Sequence, residues 1–128
     1  MKFYKCNLCG NLMAVLEDSG VTPLCCGQEM ELLKASTFDT LYEKHLPLIT
    51  ESDGITTVHV GSLPHPMTEE HHIDWILLET DKGFSLKYLK AADDPMAEFS
   101  LPLKEHRIAA YDYCNIHGLW MSSGESDS

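Results

Sequence analysis

The sequence predicts an all-β protein, with short strands packed as an antiparallel sandwich or barrel behind a cysteine-rich N-terminal segment. Three observations carry this reading. No window sustains a helical period for long, whereas several runs of bulky or alternating apolar residues have strand length. Turn-forming clusters punctuate those runs at intervals of roughly 8–12 residues, the spacing of small antiparallel architectures. Four of the five cysteines, Cys6, Cys9, Cys25 and Cys26, fall in the first stretch of the chain.

Residues 1–36 form the first predicted domain. A segment that short cannot bury enough apolar surface to hold itself together, so a bound metal is expected to supply the missing stability. Residues 37–121 form the second, and its strands follow in order. Ile55–Val60 is rich in β-branched residues and starts directly after Asp53-Gly54, a strong turn dipeptide. Ile73–Leu78 is a bulky apolar run broken once, by Asp74. Asp81-Lys82-Gly83 turns the chain into Phe84, Leu86 and Tyr88, which alternate with Ser85 and Lys87. After Asp93-Asp94-Pro95, the residues Phe99, Leu101 and Leu103 share a face, and Ile108–Tyr113 is the last strand expected. Residues 122–128 are small, polar and acidic, and are expected to form a disordered tail.

Charge and composition exclude several classes. Formal net charge is −11, from 20 acidic and 9 basic residues. The basic footprint of a nucleic-acid binder is therefore missing. No apolar run approaches the ~18 residues of a membrane helix. The start, Met1-Lys2-Phe3-Tyr4, reaches Cys6 without an apolar signal core, so a cytoplasmic location is expected. Cysteines in that compartment argue for metal ligation rather than disulfides.

Cys6-Asn7-Leu8-Cys9-Gly10 is a knuckle in which one turn can place both sulfurs on a single ion, with Gly10 relieving backbone crowding. The other half, Cys25-Cys26-Gly27, offers two adjacent cysteines. An all-sulfur tetrahedral site suits zinc or iron and excludes calcium and magnesium. Spacing alone leaves zinc and iron open. The Cys-x-x-Cys…Cys-Cys arrangement resembles the iron centre of desulforedoxin, whereas zinc ribbons and rubredoxins use two knuckles. That resemblance implies that Cys6, Cys9, Cys25 and Cys26 bind one iron.

The fifth cysteine lies in Tyr113-Cys114-Asn115-Ile116-His117-Gly118-Leu119-Trp120. A thiolate and an imidazole three apart on a turn can share a metal, although a buried inert cysteine beside a surface histidine is as common. Further histidines sit in loop contexts: His45 in Glu43-Lys44-His45-Leu46-Pro47, His65 between Pro64 and Pro66, and His71 and His72 just before a strand. Imidazoles with a thiolate suit zinc, copper or iron. The series Glu43-Lys44-His45, His65-Pro66-Met67, His71 and Cys114-Asn115-Ile116-His117-Gly118-Leu119-Trp120 resembles the catalytic domain of superoxide reductases. With the cysteine-rich start, the resemblance to the two-iron class, desulfoferrodoxin, covers nearly the whole chain.

The resemblance implies a desulforedoxin-like domain followed by an immunoglobulin-like antiparallel β-sandwich. It implies a second iron held by His45, His65, His71 and His117 in a plane, with Cys114 axial and the sixth position open to superoxide, which is reduced to hydrogen peroxide. The family's four-residue offset to Trp75 selects His71 over His72. Lys44 is expected to attract superoxide and help deliver protons, and Glu43 to occupy the sixth position in the oxidised enzyme. Without the resemblance both would read as a solvated charged loop. A rubredoxin or similar electron donor and a homodimer are also implied. His59 and His106 are expected to be ordinary surface histidines. Against this stand a non-catalytic electron carrier and a zinc-binding interaction module, both separable by metal content and spectrum.

Overall fold

The computed structural model describes residues 1–38 and 44–124. The chain divides into two compact units, Met1–Lys34 and Ala35–Ser128. All regular structure among the described residues is β, and no helix is long and apolar enough to cross a membrane.

Five short strands build the first unit: β1 (Phe3–Lys5), β2 (Leu12–Ala14), β3 (Leu24–Cys25), β4 (Gln28–Glu29) and β5 (Glu31–Leu32). β1 is the middle strand of an antiparallel sheet ordered β2-β1-β5, and β3 pairs with β4 as a hairpin. Between β3 and β4 stand only Cys26 and Gly27, with φ of 54° and 75°. Two left-handed central residues define the hairpin turn whose twist matches that of its strands, a turn that usually takes Asn-Gly or Gly-Gly. The first of those positions here is a cysteine. Tyr4, Cys6 and Met30 are the buried cluster of this unit, with Met13, Val15 and Cys25 packed around them.

Seven strands build the second unit: β6 (Pro47–Ser52), β7 (Ile55–Val60), β8 (Ile73–Thr80), β9 (Gly83–Tyr88), β10 (Met96–Ser100), β11 (Arg107–Cys114) and β12 (Gly118–Ser123). They form two antiparallel sheets, β10-β7-β6 and β12-β11-β8-β9, so the architecture is a sandwich. Strand alternation fills the space between them. Ile49, Val58, Val60, Ala97 and Phe99 come from the first sheet, and Ile73, Ile76, Leu78, Ala110 and Cys114 from the second. Ile73 and Ile76 are an odd number of residues apart, yet both face inward. A register irregularity explains this: Trp75 pairs with Tyr113 and Ile73 with Cys114, leaving Asp74 as the extra residue of a bulge.

β6 and β12 were not expected from the sequence. The face shared by Phe99, Leu101 and Leu103 also stops short. Phe99 is core and Leu101 half-buried, but Leu103 is fully exposed. The strand ends at Ser100, and Pro102 beyond it has no N–H to continue a ladder. Ser122 and Ser123, assigned to the tail on composition, belong to β12 and pair with Ala110 and Ala109; residues 125–128 lie outside the described residues.

The pairings bring the chemistry-bearing loops to one end of the sandwich. Pro47 opposite Val60 sets the segment before β6 beside the segment after β7. Ile73 opposite Cys114, and Cys114 opposite Gly118, do the same for the segment before β8 and the β11–β12 turn. His45, His65, His71, Cys114 and His117 sit on those four segments.

Candidate metal centres

In the first unit the sulfurs of Cys6, Cys9, Cys25 and Cys26 lie within 4.8 Å of one another. The knuckle that carries Cys6 and Cys9 is tied by Cys6 N–H to Asn11 O at 2.8 Å and Gly10 N–H to Cys6 O at 2.9 Å, with Gly10 at φ +82°. The hairpin turn presents Cys25 from the end of β3 and Cys26 from the turn itself. Cys9 and Cys25 sulfurs approach to 3.6 Å, and no cysteine is in a disulfide. Backbone N–H groups of Cys9 and Leu8 draw the Cys6 thiol down to about 6, while the sulfurs of Cys9 and Cys6 push Cys25 up to about 12. Crowded thiols that resist joint ionisation are what a cation relieves, because each sulfur binds as the thiolate. Four soft donors at this spacing fit a tetrahedral ion.

The second cluster is a ring of imidazoles. Donor atoms of His45, His65, His71 and Cys114 lie within 4.8 Å of one another. His117 completes it: its Nδ1 is 3.0 Å from His45 Nε2 and 3.7 Å from Cys114 Sγ. Going round, the ring centroids are 4.8 Å apart for His45–His65, 4.6 Å for His65–His71, 5.1 Å for His71–His117 and 4.7 Å for His117–His45. The His45–His71 diagonal is 6.4 Å. Neighbouring rings meet edge to face, at 66° to 82°. The arrangement is a closed quadrilateral with one thiol added from the sandwich core.

Each ring is held by local contacts. His65 Nδ1 is 2.7 Å from the Pro66 carbonyl, which must accept its proton, so Nε2 is left as the lone-pair nitrogen. That Nε2, like His71 Nε2, is buried with no hydrogen-bond partner, an expensive arrangement unless a metal takes the lone pair. His45 stacks on Trp120 at 4.5 Å and 13°. His72 faces elsewhere, with Nδ1 2.8 Å from Thr68 O and Nε2 2.9 Å from Asp74 Oδ1. Both its nitrogens are engaged. His59 and His106 are exposed and not part of the ring.

Burial drives the His65 pKa down to about 4 and lowers that of His71, so both rings are neutral, the form that binds metals. The Cys114 thiol is fully buried and its pKa is raised by that burial, against N–H groups of His117 and Ile116 that favour the thiolate. Lys44 adds its charge to the groups that depress His71. Glu43, the other residue expected to act here, lies outside the described residues.

Sequence reasoning passed over Gly61. It follows β7 with φ +84°, and a Cβ there would stand 2.5 Å from Lys44 O and 2.4 Å from Leu63 O. Its N–H donates to Leu46 O at 2.9 Å. The segment carrying Lys44 and His45 thus rests directly on a residue that must lack a side chain. A glycine ending a β-branched strand was the available signal.

A sandwich that closes one end with such a ring, in one chain with an all-sulfur centre, is a metalloprotein with two chemically distinct sites. The chain belongs to the desulfoferrodoxin family: the desulfoferrodoxin domain matches residues 37–123 and the desulfoferrodoxin N-terminal domain residues 1–33. It is 43% identical over 122 residues to a desulfoferrodoxin homolog of Archaeoglobus fulgidus, covering 95% of this chain and 96% of that one. Desulfoferrodoxin of Nitratidesulfovibrio vulgaris is 44% identical over 119 residues, 93% of each chain. The superoxide reductase of Pyrococcus abyssi is 41% identical over 95 residues, covering 61% of this chain and 83% of its own. Among solved structures, the superoxide reductase from Treponema pallidum aligns with a TM-score of 0.78 at 29% identity, over 95% of this chain and 96% of that chain.

Proposed function

We propose that this chain is a superoxide reductase that joins superoxide, one electron and two protons to give hydrogen peroxide, with two irons per chain. The observation that supports it best is the quadrilateral of imidazoles with a buried thiol against it. Cys6, Cys9, Cys25 and Cys26 would hold one iron, and His45, His65, His71, His117 and Cys114 the other. Five protein donors leave a six-coordinate ion one position to fill. Iron bound in the ring supplies the electron and that position for a small anion.

The chain's own residues set the charge. Neutral imidazoles bring none and the Cys114 thiolate brings one negative, so a divalent ion in the ring retains net positive charge. That attraction matters in a protein at −11, whose mean field repels an anion. Lys44 adds a cation felt at His71. Its proposed role is to draw superoxide in and to hold water through which protons arrive. Pro64 and Pro66 fix the direction of His65, and Trp120 fixes that of His45.

Finer readings follow from the same site. The electron donor is a small protein of the rubredoxin type, and the chain pairs with a second copy. Leu8, Leu16, Val21 and Leu24, all strongly exposed on the small first unit, support a partner there. Five free cysteines support a reducing compartment, the cytoplasm.

Anaerobic purification with metal analysis, followed by stopped-flow mixing with superoxide, tests the proposal. Two irons per chain and rapid reaction are expected. Cys114→Ser should lose superoxide reduction while the spectrum of the first centre persists. Zinc in the ring, or full activity in Cys114→Ser, would overturn the assignment.

A further inference from the structure

The ladder between β8 and β11 gives out just where the donors leave the sheet. Regular pairing runs through Trp75 opposite Tyr113, then slips past Asp74 to Ile73 opposite Cys114. His71 lies beyond that slip, outside the paired register, where one further backbone hydrogen bond joins the two segments. Asn115 spans the gap. Its Oδ1 accepts from His72 N–H at 2.8 Å, its Nδ2 donates to Glu70 O at 3.0 Å, and its own N–H donates to His72 O at 3.1 Å. The residues on either side of His71 are thus gripped by the residue between Cys114 and His117.

We infer that Asn115 is a positioning residue, whose side chain locks the loop carrying His71 to the turn carrying Cys114 and His117 and so sets the size of the imidazole ring. The inference rests on the reading that these residues hold iron. The loop contributes its own folding: Thr68 Oγ1 accepts from His71 N–H at 3.1 Å, Thr68 N–H donates to His71 O at 2.9 Å, and Ile73 N–H points to Met67 Sδ at 3.4 Å. Those bonds shape the loop but all fall within it. Asn115 carries the side-chain hydrogen bonds, among the described residues, that join it to the Cys114–His117 turn. An amide is the group required, since one end must accept an N–H and the other must donate to a carbonyl. Asn115 is exposed, so its loss should leave the sandwich core intact. Partners that orient metal ligands typically change metal affinity by roughly 10–100-fold when removed.

The test compares wild type, Asn115→Ala and Asn115→Asp, each loaded anaerobically with ferrous iron. Removal of each iron by a chelator is followed through its own optical band. In Asn115→Ala the ring iron should leave roughly 10–100-fold faster, with the first centre unchanged and the metal-free protein melting as wild type does. The sulfur-to-iron band of the oxidised ring site should shift. Asn115→Asp keeps the acceptor for His72 N–H but sets an oxygen against Glu70 O, and should fall between. Equal rates and an unshifted band would overturn the inference, and so would a loss of metal-free stability large enough to explain the faster release. A wild type that takes up iron only at the four cysteines would instead sink the functional reading beneath it.

Discussion

Tyr4, Cys6 and Met30 are the buried cluster of the N-terminal unit, and one of the three is itself a proposed metal donor. The sandwich cluster joins Ile49, Val58, Val60, Ile73, Ile76, Leu78, Ala97, Phe99 and Ala110 to Cys114, its single proposed donor. In the first unit, one of the four cysteines, Cys6, belongs to the small buried cluster and a second, Cys25, packs against it. In the second, the core stands by itself and the donors hang from one end of it. On this reading the first metal would help hold its unit together, whereas the second would be dispensable to the folding of its unit and needed for its chemistry. A 34-residue piece with so little to bury needs such a staple, whereas a two-sheet sandwich can hold a ring of imidazoles in place from its own core.

The largest effect expected from that contrast is on removal of the first metal. In small zinc-finger peptides, structural zinc carries an apparent binding free energy of about 10–16 kcal/mol that doubles as folding energy, and an ion on four cysteines of a unit this small should act in the same sense. Cys9→Ser should therefore leave residues 1–34 largely unprotected in amide exchange, while Ile76, Leu78 and Ala110 stay protected. Slow exchange at Tyr4 and Met30 in the iron-free variant would break the comparison. Next comes the converse change. Ile76 is fully buried between the sheets, and Ile76→Ala should cost the sandwich about 2–5 kcal/mol, read as a lower midpoint in denaturant. The spectrum of the first centre should outlast that transition unaltered, and a joint loss of both would show that the units are not independent.

Lys44→Ala is the smallest change and sharpens the comparison on the functional side. It should slow the encounter with superoxide by about tenfold, the low end of electrostatic steering, and flatten its salt dependence without releasing iron. Attraction by one ammonium near the ring acts within the ~10 Å screening length at 0.1 M salt. Identical rates across several salt concentrations would return Lys44 to an ordinary charged loop.

Much of the fold could be read from local pattern. Asp53 and Gly54 take φ of 53° and 78°, and the strand they introduce, Ile55–Val60, has the bounds its β-branched residues imply. β6 escaped because Pro47 opens it and its alternation lasts only a few residues before Glu51 and Ser52 turn outward. β12 escaped because Gly118-Leu119-Trp120 reads first as part of a motif. The four N-terminal cysteines, the four histidines of the ring and Cys114 were nameable because motif resemblance spans sequence distance. What supports them was not. Gly61 meeting Lys44 and Asn115 gripping the His71 loop depend on a bulge at Asp74 and on the approach of segments far apart in the chain, and neither leaves a local pattern.

Gly61 also says something about which substitutions this domain can survive. Two carbonyl oxygens stand where any L-residue would put its Cβ, and the backbone angle is one that side chains avoid. Shortening or charging a neighbour cannot make room, because the obstruction is main chain and is the same whatever residue 44 or 63 carries. In a saturation library, position 61 would score like one of the metal's own ligands while contributing no donor atom. A map of mutational tolerance would then draw the boundary of the active site one residue wider than chemistry alone, and the extra position would mark where the peptide backbone itself is part of the fit.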